Sequence, residues 1–69
     1  MIEVFKTNIQ QVSQAKKMIA LLLQHFPGSR VNVDLHDCDK VLRIEGCHFL
    51  PATVMMLVKQ HGFICSILE

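Results

Sequence analysis

Two runs of alternating apolar and polar residues, joined by a short polar segment, constrain the fold of this chain most strongly. Val31, Val33 and Leu35 face one side of "RVNVDL", and Leu42 and Ile44 face one side of "KVLRIEG", with Val41 on the other. A period of two places such residues on one face of a β-strand. The segment between them, "HDCDK", is rich in residues that favour turns. The two runs therefore predict a β-hairpin with one apolar face.

Helical patterns flank this hairpin on both sides. Asn8 and Gln11 form a plausible capping box, and Pro27–Gly28 predicts a helix end near Phe26. Pro51 suits the first turn of a second helix, which Gly62 ends. The expected apolar stripe of the first helix consists of Ile9, Val12, Ala15, Ile19, Leu22, Leu23 and Phe26.

Short strand-like segments complete the pattern at either end, "IEVF" before the first helix and "FICSILE" after the second. The resulting order is strand, helix, strand, strand, helix, strand. We expect one α+β domain over residues 1–69 with the ferredoxin-like βαββαβ fold. This is a two-layer sandwich, with two helices on one face of a four-stranded antiparallel sheet. The predicted interior consists of Ile2, Val4, Val12, Ile19, Leu23, Val33, Leu42, Ile44, Val54, Leu57, Phe63, Cys65 and Ile67.

The open face of this sheet is predicted to be an interaction surface. Alternation assigns Phe5, Val41, Ile64 and Leu68 to the face away from the helices, on three neighbouring strands. Contiguous apolar patches of this kind often mark interfaces. We therefore expect either a homodimer or a protein partner at this face.

Two segments of the chain resemble the heavy-metal-associated domains of copper chaperones and metal-transporting ATPases. "HFPGSRVNVDL" is similar to the segment after that family's first helix, and "VKQHGFICSIL" is similar to its closing segment. The resemblance implies the same order of elements over nearly the whole chain. That family binds soft metals through Met-x-Cys-x-x-Cys, whose cysteines correspond here to Val12 and Ala15. The expectation is therefore a heavy-metal-associated-like, non-catalytic domain without a cofactor, which acts through protein contacts.

Metal binding or metal trafficking through other ligands is the alternative. Cys38 and His36 lie together in the predicted hairpin turn, and His25, Cys47 and His48 lie towards the other end of the fold. No spacing among these residues matches a paired zinc motif. They are therefore candidate ligands without a motif.

Other classes of function find little support in the sequence. The segment after the first strand, "KTNIQQ", has neither the glycine nor the arginine of a phosphate cradle, and no catalytic triad is recognisable, so we expect no enzyme. A net charge of +1 and a third strand without aromatic residues argue against nucleic acid. The longest apolar run, "MIALLL", is too short to span a membrane. Three cysteines without a close pair favour free thiols in the cytoplasm.

Overall fold

A computed structural model describes residues 1–46 and 48–68. These residues form an α+β structure with two helices and one four-stranded antiparallel sheet, as predicted. Across the described residues, neither helix has the length and apolar character needed to cross a membrane. In chain order the elements are β1 (Ile2–Thr7), α1 (Val12–His25), β2 (Arg30–Asp34), β3 (Val41–Glu45), α2 (Pro51–Gln60) and β4 (Cys65–Ile67).

The strands are arranged in the order β2-β3-β1-β4, so that β2 and β4 form the edges. The predicted hairpin is the β2–β3 pair, in which Val33 lies opposite Leu42 and Val31 opposite Ile44. Residues directly opposite each other in an antiparallel pair project from the same face. Leu42 and Ile44 are fully buried, so this face of the hairpin is the one that the helices cover.

Strand β1 has the opposite orientation from the prediction. Phe5 is completely buried, whereas Ile2 is 52% exposed and Val4 is half-buried. The register explains the difference, because Phe5 pairs with Leu42 on one side and with Ile67 on the other. Phe5 must therefore share the helix-covered face with Leu42. Its assignment to the open face was wrong.

Helix α1 begins later than predicted, and its buried stripe overlaps the predicted one only in part. Gln11 is the N-cap, and its backbone N–H donates to Gln14 Oε1 at 3.2 Å. The buried residues of the helix are Ala15, Met18 and Leu22, of which Ala15 and Leu22 belong to the predicted stripe. Val12 and Leu23, expected inside, are exposed by 60% and 39%. The buried stripe is thus rotated away from these two residues.

One buried cluster joins both helices to one face of the sheet. Five predicted core residues are confirmed as buried: Leu42, Ile44, Val54, Leu57 and Cys65. Ile19, Val33 and Phe63 are partly buried and pack against the cluster, while Ile67 is exposed on the edge strand β4. The whole cluster is Phe5, Ile9, Ala15, Met18, Leu22, Val31, Leu42, Ile44, Phe49, Val54, Leu57, Val58 and Cys65.

Adjacent leucines of α1 test this assignment of the helix face. Leu22→Ala should lower the free energy of unfolding by about 2–5 kcal/mol, because it removes a fully buried side chain. Leu23→Ala should change it by less than about 1 kcal/mol in the monomer, because Leu23 is partly solvated. Urea denaturation of the two variants measures both values. Equal losses would contradict the observed rotation of the helix.

Candidate functional site

Three connections of the chain meet at one end of the molecule, next to the end of β1. The Thr7 hydroxyl donates to the carbonyl of Lys40, and the Thr7 N–H donates to the carbonyl of Asp39 at 3.0 Å. The Asn8 side-chain oxygen accepts the N–H of Ile64 at 2.8 Å. Two adjacent residues therefore join the loop before α1 to the hairpin turn and to the loop before β4.

This loop is where the resemblance would place two metal-binding thiolates. Val12 is instead the exposed first residue of α1, and Ala15 is buried in the core. Neither side chain carries a donor atom for a metal. Thr7 at the end of β1 and Asn8, the first residue of the loop, form hydrogen bonds to neighbouring connections with their side chains. The loop thus has a structural function at this position.

The hairpin turn gathers a possible set of metal ligands. One ligand atom from each of Asp37, Cys38 and Asp39 lies within 4.8 Å of the others. Asp37 Oδ1 also accepts the N–H of Asp39 at 2.8 Å, and the Lys6 ammonium lies 3.6 Å from Asp39 Oδ1. Lys6 partly neutralises the charge that would attract a cation.

The other predicted ligand of the turn, His36, lies beside this cluster. Its N–H donates to Asp34 Oδ1 at 3.0 Å, which forms a tight turn after β2. The side chain of His36 is exposed, and His36 does not belong to the group formed by Asp37, Cys38 and Asp39. The structure therefore brings two carboxylates to Cys38, where the sequence pointed to an imidazole.

The opposite end of the molecule carries an open apolar cleft of about 590 Å³. His25 and His48 line an adjoining depression, as the sequence led us to expect for this end. Cys47, the third candidate there, lies outside the described residues. The rings of Phe26 and Phe49 meet edge to face with their centroids 6.1 Å apart. The cleft is lined by Met1, Phe26, His48, Phe49, Leu50 and Thr53.

The two cysteines that the structure describes differ in chemistry. Burial raises the pKa of the Cys65 thiol to about 11, and the nearby positive charge of Lys59 offsets only part of this rise. Cys65 is therefore a neutral core residue near neutral pH. Cys38 is exposed in the hairpin turn. Of this pair, Cys38 is the thiol that reagents or metals can reach.

The open face of the sheet differs from the predicted patch by the exchange of Phe5 for two other residues of β1. Because Phe5 is on the buried face, Ile2 and Val4 point to the open face. Leu68 lies beside Val4, and its N–H donates to the Val4 carbonyl at 2.9 Å. The predicted members Val41 and Leu68 are half-buried, and Ile64 is 64% exposed just before β4. We define the open-face patch as Ile2, Val4, Val41, Ile64 and Leu68.

Comparisons of this chain with protein-family models, with curated proteins and with solved structures found no significant match.

A substitution at Thr7 tests the junction of the three connections. Thr7→Val should destabilise the fold by about 1–3 kcal/mol, because the Lys40 carbonyl and the Ile9 N–H both lose their bond to the hydroxyl. Thr7→Ser keeps the hydroxyl and should cost clearly less. Thermal unfolding of both variants measures the difference. If the serine variant is as unstable as the valine variant, the hydroxyl does not stabilise the junction.

Alkylation tests the difference between the two thiols. In a Cys47→Ser background at pH 8, we expect iodoacetamide to modify Cys38 readily in the native protein. The raised pKa alone should slow the reaction of Cys65 about a hundredfold relative to an ordinary thiol. Peptide mass spectrometry identifies the modified residue, and unfolding in guanidinium should make Cys65 reactive. Rapid native labelling of Cys65 would contradict its burial.

Proposed function

We propose that this chain is a non-catalytic protein-interaction domain with a ferredoxin-like βαββαβ fold. Its plan is similar to that of heavy-metal-associated domains, but the positions of their cysteine pair hold Val12 and Ala15. The element order, and the central position of β1 and β3 in the sheet, support this fold. The three cysteines, with no close pair among them, favour a cytoplasmic site of action.

The open-face patch is the observation that carries the proposal. Val4 and Leu68 lie side by side on β1 and the chain leaving β4, and Ile2 precedes Val4 on the same face. In a two-layer fold this face has no helix above it and is ordinarily polar. Adjacent apolar side chains at such a place support a contact that removes them from water.

Charged residues on β1 and β3 border the part of the patch that Ile2, Val4 and Leu68 form. Lys6 lies beyond Val4 on β1, and Arg43 lies directly opposite Val4 on β3. The Arg43 guanidinium is 3.7 Å from a carboxylate oxygen of Glu45. An apolar centre with a charged margin is the usual arrangement of a protein interface. The proposed partner is therefore a protein that presents an apolar group to Val4 and Leu68.

Site-specific photo-crosslinking tests this proposal. A photoreactive residue at Leu68 should give a defined crosslinked partner in cells, whereas the same residue at Met56 should not. Met56 is a matched control, because it is exposed on α2 and away from the sheet. Val4→Lys should then weaken binding to the identified partner at least tenfold, because it places a charge in the apolar contact. Identical products from both positions, or unchanged binding by Val4→Lys, would reject the open face.

Metal binding through unusual ligands is the second candidate function, which the cluster at the hairpin turn supports. Asp37, Cys38 and Asp39 offer one thiol and two carboxylates within 4.8 Å of one another. These ligands are of mixed softness, and the ammonium of Lys6 lies beside Asp39. We propose on these grounds that any metal affinity of the isolated chain is weak.

Competition against a chromogenic chelator separates the two candidate functions. We expect no one-to-one complex of untagged protein with zinc or Cu(I) at nanomolar free metal. A tight complex that is lost in Cys38→Ser would favour the metal function and place it at the hairpin turn. Cys65→Ser is an unsuitable control because Cys65 is buried, so Ser66→Ala serves as the neutral comparison.

A further inference from the structure

Strand β2 forms one edge of the sheet, and its hydrogen-bonding pattern leaves Val31 and Val33 unpaired towards the outside. The Gly46 N–H donates to the Met1 carbonyl, so the even-numbered residues of β3 bond to β1. The odd-numbered residues of β3 then bond to β2, because successive residues of a strand direct their backbone groups to opposite sides. Arg30, Asn32 and Asp34 are their partners. The N–H and C=O groups of the two valines therefore point away from the sheet.

The side chains along this edge are charged in a self-complementary order. Arg30 and Asp34 are the first and last residues of β2, and Asn32 is its centre. All three project from the open face, and all three are exposed. If a second β2 runs antiparallel with Asn32 opposite Asn32, each Arg30 lies directly opposite an Asp34. Opposite charges in this position stabilise a strand pair, and like charges destabilise it.

We propose that two copies of this chain pair through their β2 edges in this register. Val31 of one copy then bonds to Val33 of the other, which uses the backbone groups that β3 leaves free. The pairing is isologous, because one strand complements itself across a two-fold axis through the Asn32 pair. The partner is thus a second copy of the same chain, recognised by its backbone and by two Arg30–Asp34 contacts.

Neighbouring registers lack this complementarity. With Val31 opposite Val31, Arg30 faces Asn32, and Asp34 faces the glycine at position 28. With Val33 opposite Val33, Arg30 faces His36 and Asp34 faces Asn32. Both shifts keep outward backbone groups opposite each other but form no ion pair. The charges at Arg30 and Asp34 therefore select the register centred on Asn32.

Helix α1 offers an apolar flank on the same side as this edge. Around the axis of the helix, Leu23 lies about 160° from Leu21, and Ile19 lies about 140° from Gln14. Gln14 lines a depression with Gly62 and Phe63, so its flank faces α2 and the loop before β4. Ile19 and Leu23 consequently flank the other side of α1, which packs on β2. In the proposed pair the second copy covers Leu23, which is 39% exposed in a single copy.

The geometry of the pair follows from the two-fold axis, which stands perpendicular to the sheet. Both copies carry their helices on the same side, and the two α1 helices lie next to each other above the joined edges. The sheets merge into one of eight strands, four from each copy. The two open-face patches remain uncovered on the other side, so this inference goes beyond the proposed function and does not depend on it.

Charge exchange between Arg30 and Asp34 tests the pairing. The parent should sediment as a concentration-dependent dimer. Arg30→Asp and Asp34→Arg should each raise the dimer dissociation constant about tenfold or more, because each places two like pairs across the axis. A mixture of the two variants should form a heterodimer with two opposite-charge pairs, and the double variant Arg30→Asp with Asp34→Arg should form homodimers again.

Two results of this experiment would overturn the pairing. One is a parent that stays monomeric at millimolar concentration. The other is a pair of weakened variants that does not recover on mixing. Both substitutions also change the monomer, because Arg30 lies opposite Glu45 and Asp34 accepts the His36 N–H. Thermal unfolding therefore accompanies sedimentation, and recovery on mixing cannot come from a damaged monomer.

Amide exchange of the unsubstituted protein gives a second readout. Dilution from dimer to monomer should speed exchange at Val31 and Val33 but leave Asn32 protected, because Asn32 bonds to β3 in both states. Equal protection of these amides at all concentrations would overturn the β2 pairing. Val4→Lys separates this result from the proposed function, since it should leave the dimer intact while it weakens the partner at the open face.

Discussion

The register of Phe5 is the constraint on which the rest of the structure depends. Phe5 lies on β1, the strand that pairs with both β3 and β4, and it is fully buried between Leu42 and Ile67. A shift of one residue along β1 would turn this ring to the solvent and bring Val4 inside. The ring of Phe5 is larger than the side chain of Val4, so burial of Phe5 removes more apolar surface from water. The register thereby determines which side chains form the open face.

The hairpin and the second helix were predictable from sequence, whereas the orientation of β1 was not. Strands β2 and β3 each alternate with one consistently apolar face, so the pattern allows a single solution. In β1, "IEVFKT" offers Ile2 and Val4 to one face and Phe5 to the other, with polar residues on both. The alternating pattern alone does not show which of these two faces is buried. The choice is made by cross-strand partners, which the local sequence does not contain.

Helix α1 shows the same limit in a different form. Its apolar residues surround more than half of the helix, because Val12, Ile19 and Leu23 form one flank and Leu21 another. The position of the sheet and of α2 decides which flank is buried. The helix begins later than predicted for a related reason. Asn8 is a good N-cap residue by type, but its side-chain oxygen accepts the N–H of Ile64 instead. A partner 56 residues away along the chain therefore decides the function of this side chain.

The candidate sites could be predicted only in part. The hairpin turn was expected to hold Cys38, but its neighbours in space are Asp37 and Asp39, since the turn directs these three side chains together. The open face was expected to be apolar, and its membership changed with the orientation of β1. The sequence did not indicate that one flank of α1 is exposed, because its residues Val12 and Leu23 were expected in the core. Surfaces of this kind become visible only when the interior has been assigned.

The hydrogen bond between Asn8 and Ile64 joins residues that are far apart in the sequence, and such long-range contacts affect how the chain folds. The β2–β3 hairpin involves contacts between residues near in sequence and can form early. Strand β1 pairs with β3 and β4, which are both distant from it along the chain. It can therefore form its backbone hydrogen bonds only after those strands are present. Loop closure over such distances slows folding relative to a helical bundle of the same size. During synthesis, the first strand therefore remains without its full set of partners until residues 65–68 have left the ribosome.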